Sequence, residues 1–117
     1  MKSISINFDR STFGITQKSL KMLRDTLLQR HNVPIAILRI RTSDITCGYL
    51  IMSKQITSES VSAVFTGDGF RTDNGGEGGA GFRSAECLFE LLGVHVFDEY
   101  HLNIEDEEDE QKDFNEV

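Results

Sequence analysis

The chain is expected to form one α+β domain, a mostly antiparallel sheet of about five strands with two helices on one face. Three observations predict this. Short segments alternate apolar and polar residues with a period of two, as half-buried strands do. Two other segments carry apolar stripes at helical spacing. The resulting order, β-α-β-β-β-α-β, has too few crossovers for a doubly wound parallel sheet.

Ser3–Phe8 reads as the first strand, with Ile4, Ile6 and Phe8 on one face. A helix follows from Gln17 to His31. Thr16 is its expected N-cap, Ile15 and Leu20 stand at staple positions, and Leu20, Leu23, Leu27 and Leu28 form its stripe. Asn32 is placed to close this helix, and Pro34 forbids its continuation. Ile35–Thr42 and Ile45–Ser53 read as a hairpin joined at Thr42–Asp44, with Arg39 and Arg41 on one strand face. Ser60–Thr66 alternates like a strand, against a competing reading as a helix from Ser58. The second helix is expected over Phe82–Leu92, on the stripe Phe82, Ala85, Leu88, Phe89 and Leu92, with Gly93 ending it. Val94–Phe97, extended by Tyr100–Ile104, completes the sheet.

Charge divides the 117 residues in two. Residues 1–104 hold 11 basic and 11 acidic residues, and residues 105–117 hold eight acids against Lys112, so the net charge of −7 belongs to the tail. The domain is therefore expected over 1–104, with 105–117 as a disordered acidic tail. That tail has two readings, a solvated solubility element or an arm that meets a basic partner. A balanced body offers no excess of cations for duplex phosphates, so direct nucleic-acid duplex binding is not expected. No run reaches the length of a membrane span, and no apolar leader is visible near the start. Cys47 and Cys87 sit in apolar segments and read as two buried free thiols. A cytoplasmic setting follows, the host's cytoplasm if the gene belongs to a phage.

The chemistry concentrates in residues 67–81, GDGFRTDNGGEGGAG, which hold seven of the ten glycines. A loop of this length within a compact domain is usually functional or disordered. The segment also repeats itself. Gly67-Asp68-Gly69-Phe70-Arg71-Thr72 matches Gly79-Ala80-Gly81-Phe82-Arg83-Ser84 at a period of 12. Each copy supplies close-approach backbone, an aromatic ring, a guanidinium and a hydroxyl. Arginine holds phosphate bidentately, phenylalanine stacks on a base, and N–H groups in a turn cradle an anion.

These features single out Gly69, Phe70, Arg71, Thr72, Asp73, Asn74, Gly78, Gly79, Gly81, Phe82, Arg83 and Ser84 as a ligand-binding set. The plainer readings are a flexible linker, Phe82 as the first core residue of its helix, Phe70 as a buried anchor, and arginines paired with Asp68, Asp73 or Glu77. Gly76–Gly81 satisfies G-x-G-x-x-G, but the long preceding loop is the wrong context for a dinucleotide fold. Gly81-Phe82-Arg83 breaks the Walker pattern, and the acids do not match a calcium loop.

His31, His95 and His101 lack zinc spacing, and Cys87 has no base beside it, so neither a structural metal nor a cofactor is expected. His95 reads as a strand-surface residue. No enzymatic signature occurs, which favours a non-catalytic protein; a phosphodiesterase using Asp68 or Asp73 with a metal is the enzymatic alternative. The expected function is sequestration of a phosphorylated or nucleotide-like small molecule, completed by a homo-oligomer. Phage-encoded sponges of nucleotide immune signals have these design requirements. The rival reading is an inhibitor or adaptor that binds protein through the acidic tail or the Arg39/Arg41 face.

Overall fold

The structure, a computed structural model, describes residues 4–57, 60–73, 75–101 and 113–114. It is α+β, with two helices and a mixed sheet. The long strands are β1 (Ile4–Asn7), β2 (Asn32–Arg41), β3 (Thr46–Gln55), β4 (Val61–Phe65) and β6 (Val96–His101). Two-residue strands β5 (Phe70–Arg71) and β7 (Asp113–Phe114) are added to them. The helices are α1 (Thr16–Leu27) and α2 (Gly76–Leu92).

The sheet runs β6-β2-β3-β4-β1-β7, and β5 pairs with β3 beyond the end of β4. Its centre is an antiparallel meander that extends the expected hairpin by β4, with Leu38 opposite Leu50 and Leu50 opposite Phe65. One parallel strand flanks it on each side: β6 on β2 and β1 on β4. Each flanking pair is reached through a helical crossover, which parallel strands require. The residues around Ser58 lie partly outside the described set, and β4 takes the strand form from Val61. The acidic tail is likewise outside the description except for Asp113–Phe114, whose backbone pairs antiparallel with Ile4–Ser5.

Both helices pack on one face, as expected. Leu23 and Leu27 of α1 and Ala85 and Phe89 of α2 close over Ile37, Cys47, Tyr49 and Ile51 of the sheet. The opposite face carries its own cluster, in which Phe13, from the turn after β1, packs against Phe8 and Phe65 at ring distances of 6.0 and 5.6 Å. Alternation puts Leu38, Ile40 and Leu50 on this second face, so the central strands are buried on both sides.

Strand ends shift by one to three residues from expectation, and three boundary differences change a residue's role. α1 ends at Leu27, and Asn32 opens β2 rather than closing the helix, because strand pairing with Gln55 claims its backbone. The N-cap is Ile15; Thr16 is the first helical residue, and its hydroxyl is used elsewhere. α2 begins six residues early, so Gly76–Gly81 are helical and leave the expected glycine loop, which β5 also interrupts. Cys47 is buried, but Cys87 is exposed, because its position lies opposite the Ala85–Phe89 stripe.

Candidate functional site

The first G-x-G-F-R-T copy is the crossing from β4 to β5. Gly67 has φ +89°, a left-handed conformation that side-chain residues rarely adopt. Across the sheet, Gly48 leaves the room this crossing needs: a Cβ there would run into the Gly67 carbonyl and stand 2.6 Å from the Phe65 ring. The neighbouring Thr66 is buried and closes the ladder, its N–H donating to the Tyr49 carbonyl at 3.0 Å.

Asp68 then ties three segments together. One carboxylate oxygen accepts the Gly14 N–H at 2.8 Å, and the other accepts the Thr42 hydroxyl at 2.7 Å. Gly69 is fastened to the start of α1 from both sides. Its N–H donates to Ser19 Oγ at 3.1 Å, and its carbonyl accepts the Thr16 hydroxyl at 2.6 Å. Phe70 is fully buried, edge-on to Tyr49 at 5.1 Å. Its ring is therefore core, the anchor reading, and no face is open for a base. Thr72 extends β5 by donating its N–H to the Ile45 carbonyl at 2.8 Å.

Arg71 turns outward and meets Asp73. Nε reaches Oδ1 at 3.0 Å and Nη2 reaches Oδ2 at 2.6 Å, with the two side chains 41 % and 38 % exposed. The same carboxylate accepts the Gly75 N–H at 3.0 Å, where α2 starts with no side-chain cap from Gly75. The guanidinium holds the Asp73 carboxyl below its ordinary range, and the Gly75 N–H adds to this. In return, hydrogen bonding to Asp73 raises the Arg71 guanidinium. Asn74, the remaining expected contact of this turn, lies outside the described residues.

The second copy is helix, and its glycines, like Gly78 just before it, serve packing. Gly78 lies on the stem of Arg71, where a Cβ would stand 2.7 Å from Cγ. Gly81 receives the Thr16 methyl, 2.5 Å from where its own Cβ would be. Gly79 is buried beside them. Phe82 is half-buried with the Arg39 guanidinium 5.4 Å from its ring centre. Arg83 and Ser84 are exposed. Arg83 sits seven residues beyond Gly76, about 10 Å along the helix axis. The eleven expected contacts within the described residues thus divide between a corner formed by Arg71, Thr72, Asp73 and Gly78, packed interior at Gly69, Phe70, Gly79, Gly81 and the half-buried Phe82, and the outer flank of α2 at Arg83 and Ser84.

A polar cluster between α2 and the sheet was not foreseen. One Glu86 oxygen accepts the Tyr49 hydroxyl at 2.6 Å and Arg39 Nη2 at 2.8 Å. Burial, reinforced by Glu86, pushes the Tyr49 hydroxyl far above its ordinary range. Arg39 is consequently not an open strand face: its side chain is 15 % exposed beneath α2. The sequence signal was an acid one residue after Ala85 in the apolar stripe, matched by an arginine in an apolar strand. Asp68 and Asp73, the acids considered for a metal, are each committed to other partners. Among the described residues no three His, Cys, Asp or Glu side chains gather as a metal site would need. His95 is exposed and packs edge-on against Phe97 at 4.4 Å. Among the described residues no helix is long and apolar enough to cross a membrane.

No protein-family model, curated protein or solved structure matches the chain at a significant level.

Proposed function

We propose that the protein binds a small phosphorylated or nucleotide-like molecule without transforming it, at the corner where β5 meets α2. One observation supports this reading. The Asp73 carboxylate is held by both arms of Arg71 and by the Gly75 N–H at the opening of a helix. A guanidinium fork and a helix-start amide are donors that suit phosphate oxygens. The chain's own carboxylate thus stands in for an anionic group, and both side chains are accessible to solvent.

On this reading a ligand phosphate displaces Asp73, which rotates outward while Arg71 stays against Gly78. Recognition rests on the charged group, since Phe70 is core and cannot stack. Thr72, at the end of β5, flanks the site. A protein that binds one molecule and releases it unchanged lowers that molecule's free concentration, as a sponge does.

Isothermal titration with nucleoside diphosphates and cyclic dinucleotides tests the proposal. Arg71→Ala is expected to abolish binding with the fold intact. Asp73→Ala, which removes the internal competitor, is expected to tighten binding by about tenfold. Undiminished affinity in Arg71→Ala, or no binding of any phosphorylated probe by the wild type, would sink the proposal.

A further inference from the structure

Away from that corner, the outer surface of the helical layer carries an unclaimed groove. α1 and α2 lie side by side, with Thr16 against Gly81 and Gln17 donating to Glu77 at 3.2 Å. Both follow parallel crossovers, so they run in the same direction. Further along, the helices leave a groove of about 530 Å³ between them. Leu20, Leu23, Ala85 and Leu88 line it, and Lys21 and Arg24 form its α1 rim. Lys21 is engaged with Asp25 at 2.7 Å in a solvent-exposed i,i+4 pair. At the α2 lip stands Leu91, 82 % exposed, the highest value among the exposed large apolar side chains of the described residues. Its neighbour Glu90 is exposed on the outward side of α2.

One surface therefore carries both halves of a complementary pair. It has a leucine-lined hollow with a basic rim, and beside it a protruding leucine next to an acid. A surface that is complementary to itself is what a two-fold dimer requires, because each patch meets its counterpart on the other copy. We infer that the occupant of this groove is a second copy of the chain. Leu91 of each copy seats over Leu20 and Leu88 of the other, and Glu90 of each faces Arg24 of the other. Neither body repels its partner by net charge, since residues 1–104 are balanced. Singly exposed apolar residues are ordinary on a protein surface. Here the exposed leucine borders a hollow of its own chemistry and is flanked by complementary charge.

Sedimentation of the full chain over a concentration series tests the inference. The wild type is expected to show a monomer–dimer equilibrium. Leu91→Asp, at a position too exposed to disturb folding, is expected to give monomer throughout. Arg24→Glu is expected to weaken the dimer at least tenfold, and Arg24→Glu combined with Glu90→Arg to recover most of the loss. A wild type that stays monomeric up to about 1 mM, or a dimer indifferent to Leu91→Asp or Arg24→Glu, overturns the inference.

Discussion

The two G-x-G-F-R-[TS] copies are near-identical in sequence and unlike in structure. In the first copy the glycines turn the chain at the end of β4, the phenylalanine is core, and the arginine faces solvent against Asp73. In the second copy the glycines are inside a helix, the phenylalanine is half-buried under Arg39, and the arginine lies on the helix's outer flank. Glycine permits a left-handed turn and close packing equally well, so the same letters serve both. Which role each copy takes is decided by what lies beside it. Gly48 and Ser19 adjoin the first, and Thr16 and Leu20 adjoin the second.

The largest expected effect separates the two rings. Phe70→Ala is expected to cost ~3–5 kcal/mol, as for other fully buried aromatics. Phe82→Ala is expected to cost about 1–2 kcal/mol for a half-buried ring and its cation contact. Denaturant unfolding of both variants checks the difference, and equal losses would mean that the copies are structurally equivalent after all.

Tyr49 links the first copy to α2, touching Phe70 through its ring and Glu86 through its hydroxyl. Tyr49→Phe is expected to cost roughly 1.5–3 kcal/mol at neutral pH, for a hydrogen bond to a charged group. The pH dependence sharpens the test. The folded hydroxyl is raised above its ordinary 10.0, so it stays protonated where the unfolded chain ionises. Its contribution is complete below pH 10 and is lost as pH rises further, so the variant's stability should decline less steeply on the alkaline side.

The smallest effect concerns Asp73. Its carboxyl is depressed by Arg71, so its contribution is present above the ordinary carboxylate range and fades as pH falls through the lowered value. Asp73→Asn should flatten the acid limb of the thermal-stability profile only slightly, because the pair is exposed. A large flattening would mark the corner as structural rather than as a place for a ligand.

Much of the fold was legible in the sequence, because strand alternation and the leucine stripe of α1 are local signals. The β2–β3 hairpin, the helices' shared face and the end of α2 at Gly93 follow from them. The start of α2 was not legible. Glycine has poor helix propensity, and only tertiary packing against Arg71 and Thr16 makes Gly76–Gly81 helical. The placement of β1 and β6 as parallel flanking strands depends on partners far away in the chain, which no local window contains. Of the candidate site, a carboxylate partner for Arg71 was legible, but the choice of Asp73 over Asp68 and Glu77 was not, because Asp68 is claimed by Gly14 and Thr42 from distant parts of the chain. The burial of Phe70 was not legible either, since a two-residue strand is too short to show a period.

The parallel flanks also bear on how the chain acquires its shape. β2, β3 and β4 are consecutive and need only short turns to meet, whereas β1 must find β4 across 57 positions, as Ile6 opposite Ala63 shows. Closing so long a span before any contact rewards it is entropically slow. The meander is therefore the natural nucleus, and β1 docks late. Asp68 meets Thr42 within the meander but receives the Gly14 N–H only once that docking is done, so a single carboxylate joins the early and the late parts of the assembly.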